Sequence, residues 1–311
     1  MPPALASNRM SVKAETRPLT APLPGAGKPG TTVVVEPLLG AEVQLPRRFM
    51  ESDGGRLALL RGLGIGTPRS KWWWAPIPAY LIHHPGAGPI LVDTAMHPSV
   101  DTRPAANLGR TMAAMARFRM PAGDLSTQLR GRGIEPKEIR TVLLTHLHLD
   151  HSSGIAELPN ATFVLSEREW EAATTIKRPF LHGYRRAHFD YLFDYRTIDF
   201  DGPLIDSYAS FGRTFDLFGD GSIRLALTSG HTAGHMSVIA RLREHDFVIA
   251  GDAVYTEDQL AGRNVPPRPE DMHQWQRSRR ELQRFAERFS DAVIVPGHDP
   301  GAWEKLAERY E

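Results

Sequence analysis

Three histidines and an aspartate stand within six residues at His146-Leu-His148-Leu-Asp150-His151, directly after the apolar run Thr141-Val-Leu-Leu-Thr145. The run reads as a buried strand. Residues two apart leaving a strand project to the same side, so His146 and His148 face one way while Leu147 and Leu149 point into the core. Four ligand-type side chains in six positions overfill one tetrahedral site but can divide between two adjacent metals. Imidazole and carboxylate donors without thiolate suit zinc, and also iron, manganese or cobalt. The alternative is a polar turn that holds histidines by chance. With only 13 His in 311 residues, three at one strand end argue against it.

Three more ligand types follow other strand patterns. His231 comes after 223–228, Asp252 after 247–250 and His298 after 292–295, each immediately preceded by glycine (Gly230, Gly251, Gly297). Glycine lets the backbone turn sharply, so the next side chain can face a cleft. One such case reads equally well as a turn or capping residue, but three in series behind the histidine cluster do not.

The remaining pattern is of strands separated by Gly and Pro, with helices closing each half. Strands are expected at 31–35, 57–60, 79–83, 90–93, 161–165, 223–228, 236–241, 247–250 and 292–295. Helical character runs over 104–118 and 123–131. Ser166 with Glu169 three residues on is a capping-box signature for a helix to about 173. A helix is predicted over 269–289, with Trp275, Leu282, Phe285 and Phe289 on one face, and a last one over 302–310. The aromatic and charged stretch 177–212 is read as helix plus loop over the site. Residues 1–30, rich in Pro, Ala, Gly and Thr, read as a flexible or draped arm, leaving 31–311 as one domain. Two packed sheets with helices outside satisfy the burial such a pattern demands.

Composition narrows the function classes. Lys+Arg number 37 against 36 Asp+Glu, a balance that gives no support to nucleic acid or an anionic membrane as partner. The chain has no cysteine, which excludes disulfides, thiolate-bound zinc and a cysteine nucleophile. There is no run of 18 apolar residues and no continuous apolar segment near the N-terminus, so a cytoplasmic location is expected.

The set His146-x-His148-x-Asp150-His151, His231, Asp252 and His298 resembles the complete ligand set of the metallo-β-lactamase-fold hydrolases, and Ile90-Leu-Val-Asp93-Thr94 is similar to an early strand of that fold. The resemblance covers most of 31–311. It implies an α+β fold, an αβ/βα sandwich of two packed mixed sheets with helices outside. It further implies that His146, His148 and His231 hold one metal, that Asp150, His151 and His298 hold a second, and that Asp252 bridges them. Two divalent ions, zinc first among the candidates, are the cofactors it implies.

A narrower resemblance rests on Gly251-Asp252-Ala253-Val254-Tyr255-Thr256 and Gly297-His298-Asp299. A tyrosine three residues after the bridging aspartate is similar to the N-acyl homoserine lactonases, where it reaches the substrate carbonyl region. Packing in the wall is the alternative for Tyr255. The mechanism implied is attack of a metal-bridging hydroxide on a lactone carbonyl. Tyr255 would stabilise the carbonyl oxygen, and Asp150 would carry the proton to the leaving alkoxide. The partner is a small lactone or ester, with a homodimer left open. Stretch 177–212 and Lys71-Trp72-Trp73-Trp74 are candidate acyl-chain surfaces, although aromatic residues more often serve the core. His182 and His188 are expected on the surface, and Arg277, Arg279 and Arg280 on a solvated helix face. His235 is either a partner behind the ligands or a structural histidine. Glyoxalase II-like thioesters and phosphotriesters are the alternative substrates. An iron oxidoreductase, a nuclease or a non-catalytic scaffold fits the residues less well.

Overall fold

Strand-forming sequence in the computed structural model, which describes residues 12–52 and 57–311, gathers into two mixed sheets. The first contains β1 (Thr16–Pro18), β2 (Val34–Leu45), β3 (Trp73–His84), β4 (Gly88–Val92), β5 (Arg117–Arg119), β6 (Thr141–Leu143), β7 (Thr162–Ser166) and β8 (Asp194–Ile198), in the order β1-β8-β7-β6-β4-β3-β2-β5. Neighbours run parallel from β1 as far as β4 and antiparallel from β4 to β5. The second contains β9 (Asp206–Tyr208), β10 (Phe211–Asp216), β11 (Ile223–Leu227), β12 (Met236–Arg241), β13 (Asp246–Gly251) and β14 (Val293–Pro296), in the order β14-β13-β12-β11-β10-β9. Here β13 and β14 are parallel and the other neighbours antiparallel.

The two-residue period of the strands decides the layering. Tyr80, Ile82, Ile90 and Val92 of the first sheet meet Phe215, Leu225, Val238, Phe247 and Ile249 of the second in one buried cluster. The intervening Leu81 and Leu91 face outward into a second cluster with Leu129 of the helix Leu125–Gly131. Val248 and Ala250 point to the other outer face, against Leu282 and Phe285 of the helix Met272–Arg288. Each sheet is therefore apolar on both faces, and helices cover the outer ones, giving the expected αβ/βα sandwich. Met272–Arg288 begins cleanly because Asp271 accepts from the His273 and Gln274 N–H groups at 2.8 and 3.0 Å. No helix among the described residues is long and apolar enough to cross a membrane.

Several expected elements take a different form. From Val12 onward the N-terminal segment lies against the domain. β1 extends the first sheet, Asp190 accepts from the Lys13 and Ala14 N–H groups, and Asp220 accepts from the Gly27 N–H. Its polar composition conceals these backbone contacts to distant residues. The strand expected at 57–60 is helical instead, Ala58–Gly62, with Leu57 and Leu60 exposed and no sheet neighbour to pair with. The helix expected over 104–118 breaks at Gly109 (φ 83°) into Pro104–Leu108 and Arg110–Met115, and its end becomes β5 on the edge of β2. Stretch 177–212 holds β8, β9 and the start of β10 as well as two short 3₁₀ turns. The last helix stops at Trp303, and Tyr310 pairs with Val35 instead.

Candidate metal centre

Four strand ends deliver the ligand-type residues. The chain leaves β6 for His146 and His148, with Asp150 and His151 on the helical turn Leu149–Ser152. It leaves β11 for His231, β13 for Asp252 and β14 for His298. The hydrogen bond from the Met236 N–H to the Thr145 carbonyl, 2.9 Å, joins the first exit to the second sheet. Gly230 and Gly251 have positive φ, 129° and 53°, the conformation that glycine tolerates. Gly297 does not, and its role is clearance: a Cβ there would lie 2.5 Å from Asp252 Oδ1.

All seven residues meet in two adjoining groups. In the first, His146 Nε2, His148 Nδ1 and Asp252 Oδ2 lie 3.2, 3.0 and 3.1 Å from His231 Nε2. In the second, Asp252 Oδ1 lies 3.1 Å from His298 Nε2 and 3.4 Å from His151 Nε2. Asp150 Oδ2 completes it, 3.6 Å from His298 Nε2 and 3.9 Å from His151 Nε2. The two oxygens of Asp252 thus face different groups. Ligands about 2.1 Å from a tetrahedral ion sit about 3.4 Å from one another, so the spacing of the first group is that of a metal shell.

The electrostatics fit a cation. Burial holds His146, His148 and His231 below the usual imidazole range, His148 at about 4, so the first group consists of neutral rings with converging lone pairs. Burial works against charge on His151 and His298 too, but the neighbouring carboxylates together outweigh it and draw both upward, Asp252 and Asp150 for both rings and Asp93 also for His151. His151 Nε2 and Asp252 Oδ1 are buried and have no hydrogen-bond partner among the described residues. Orphaned buried donors and acceptors are costly, and a divalent ion would satisfy them.

The outer nitrogen of four rings is fixed, which orients the inner one. His151 Nδ1–H donates to Asp93 Oδ2 at 2.8 Å, and His298 Nδ1–H to the Pro76 carbonyl at 2.8 Å. His146 Nδ1–H donates to Thr145 Oγ1 at 3.1 Å, and Thr145 in turn donates to Asp93. His231 Nδ1–H donates to the Tyr255 hydroxyl oxygen at 3.1 Å. Asp93 holds a left-handed backbone (φ 58°), which the surrounding bonds sustain.

His235 is no member of either group. Its Nε2 accepts from the Asp252 N–H at 3.0 Å and its Nδ1–H donates to Thr228, so it sets the backbone of the shared aspartate. Glu169 also escaped the sequence reading. The capping box does not form: Ser166 makes no cap bond, and Glu169 reaches across to Leu147 and Thr232. Its local spacing reads only as a cap, and its burial, at 0% exposure, is a property of the packed structure.

Other residues fall variously. Gly183, at the end of the 3₁₀ turn Pro179–His182, packs against the His148 ring. His182 is half-buried beside Glu270, whereas His188 is buried, against expectation, and donates to the Asn107 carbonyl at 3.0 Å. Trp72, Trp73 and Trp74 stack with Arg69, Arg47 and Arg119. Arg277 and Arg280 lie on the solvent face, while Arg279 is half-buried.

Residues 72–298 match the family model described as the metallo-beta-lactamase superfamily. The N-acyl homoserine lactonase AttM of Azorhizobium caulinodans is 31% identical over 83% of this chain and 94% of its own length. AttM of Rhizobium johnstonii is 32% identical over 85% and 97%. Among solved structures, an N-acyl homoserine lactone hydrolase with N-hexanoyl-L-homoserine bound at its catalytic metal centre superposes with a TM-score of 0.69 at 19% identity, covering 89% of this chain and 97% of that one. At that identity the likeness is one of fold.

Proposed function

The chain belongs to the metallo-beta-lactamase superfamily, and from this we propose that it is a dinuclear metal-dependent hydrolase opening the ring of N-acyl homoserine lactones. The observation that carries the substrate class is its similarity to AttM lactonases over 94% or more of their length.

His146, His148 and His231 would hold one ion, Asp150, His151 and His298 the other, with Asp252 between them. Zinc suits this set, as do iron, cobalt and manganese. Bound there, two divalent ions would supply a nucleophilic water of lowered pKa and a Lewis acid for the carbonyl. The protein's own residues do the rest. Because His231 Nδ1–H donates to the Tyr255 oxygen, the Tyr255 O–H is free to donate to the lactone carbonyl oxygen as charge develops on it. Asp150, with a side chain 22% exposed against 4% for Asp252, is the more accessible carboxylate. It takes the proton from the attacking water and passes it to the ring oxygen as the ester C–O bond breaks. Phe180 and Leu181, 66% and 52% exposed, stand on the turn that ends against His148. They offer an apolar surface to an acyl chain.

Proton release from short- and long-chain N-acyl homoserine lactones, with metal content measured on the same sample, tests the reading. Fast lactone turnover by the metal-loaded protein is expected. Two bound metals with turnover of thioesters or phosphotriesters alone would reassign the substrate class.

A further inference from the structure

Glu169 lies outside the seven-residue cluster, in the first turn of the helix Glu167–Thr175, and is fully buried. Burial raises its carboxyl to about 7, a measure of what placing an acid there costs. An apolar residue would fill the same space more cheaply unless the oxygens are needed. Their partners indicate the need. Oε1 accepts at 2.9 Å from the N–H of Leu147, the residue between His146 and His148. Oε2 accepts at 2.6 Å from the hydroxyl of Thr232, which follows His231, and at 3.3 Å from the Gly234 N–H. The two loops so joined come from different sheets, one after β6 and the other after β11. Contact is close: a Cβ at Gly234 would lie 2.1 Å from the Glu169 nitrogen, so the helix start presses directly on the His231 loop.

We infer that Glu169 is a positioning residue for the first metal group, a single carboxylate that fixes the His146–His148 loop and the His231 loop at the spacing a metal ion requires. It touches neither substrate nor metal. The inference rests on the proposed function only in requiring that metal binds at this cluster.

Glu169→Gln keeps the side-chain shape but turns one acceptor oxygen into an NH2 group, which cannot accept from the Leu147 N–H in one orientation or from the Gly234 N–H in the other. The test is chelator competition on the zinc-loaded protein, together with the visible absorption of the cobalt(II)-substituted form. One of the two ions should bind about 10- to 100-fold more weakly, the usual effect of losing an outer partner, and the cobalt bands should shift. Trp170→Ala on the same helix serves as the control. It removes packing against Phe189 and Tyr195 and leaves the Glu169 hydrogen bonds to both loops in place, so it should lower thermal stability with wild-type bands. Should Glu169→Gln fail to fold, Thr232→Val removes one of the donors and should shift the bands in the same direction, by less. Unchanged metal affinity and bands in Glu169→Gln, or in Thr232→Val in its place, would overturn the inference. Equal shifts in Trp170→Ala would do so as well. A wild-type protein that takes up no metal would instead defeat the metal-centre reading itself.

Discussion

The hydroxyl oxygen of Tyr255 lies 3.1 Å from Nδ1 of His231, on the far side of the ring from the Nε2 that faces His146 and His148. An imidazole offering Nε2 to a metal carries its proton on Nδ1, so the ring donates and the tyrosine keeps its own O–H free. Tyr255 thus fixes the His231 ring and, on the proposed function, would have its own O–H free for the substrate.

Tyr255→Phe should lower kcat for lactone opening by about 10²-fold, the scale of losing one donor to a developing oxyanion. Metal content should stay near wild type, because His231 remains. Steady-state kinetics with metal analysis on one preparation checks both. Unchanged kcat would return Tyr255 to a packing role.

Asp252 contributes one oxygen to each group. Asp252→Ala should therefore weaken both ions and abolish turnover, whereas a residue serving one group should weaken one ion. Stripping wild type with a chelator should likewise stop turnover and lower Tm, and added zinc should restore both, since an ion bound to the folded state alone stabilises it. Retention of two ions by Asp252→Ala would remove the bridging assignment.

Asp93 holds the outer nitrogen of His151 and, through Thr145, that of His146. Asp93 Oδ1 takes the Thr145 N–H and Oδ2 takes the other two donors, so in Asp93→Asn the NH2 group must face at least one of the three. Metal affinity should fall about 10- to 100-fold, visible as faster zinc loss to a colorimetric chelator. Wild-type loss rates would mean that the rings are held by packing alone.

His188 is buried, its ring bonded to the Asn107 carbonyl, and burial lowers it to about 4. Below the usual imidazole pKa the unfolded chain takes up a proton that the folded protein refuses. Stability should therefore be unaffected above about pH 6.5, fall as pH drops from there toward 4, and lose no more from this residue below that. One such group contributes a slope approaching 1.4 kcal/mol per pH unit. His188→Gln should flatten urea-denaturation stability across this window relative to wild type, and an unchanged slope would refute the assignment.

How much was legible in the sequence follows from the range of each signal. The candidate ligands stand out because they follow apolar strand runs in the chain itself, and the helix Met272–Arg288 because Trp275, Leu282 and Phe285 recur at helical spacing. β8 is not legible locally: only Tyr195, Thr197 and Ile198 alternate with the charged Asp194 and Arg196, a pattern that means strand only once β7 and β1 lie alongside. What ties down the N-terminal segment beyond Val12 is equally non-local, 176 or more residues away at Asp190.

By itself the sequence determined which side chains could form the centre, their placement at strand ends and the double-sheet frame, since two-residue periodicity and glycine placement are properties of neighbours in the chain. Only the tertiary structure decided that Asp252 turns one oxygen to each group, that His148 offers Nδ1 where the other rings offer Nε2, and that Glu169 leaves its helix cap to join two loops. Each of those depends on which groups the packed sheets bring within about 3 Å across the interface, a distance to which no local pattern in the chain corresponds.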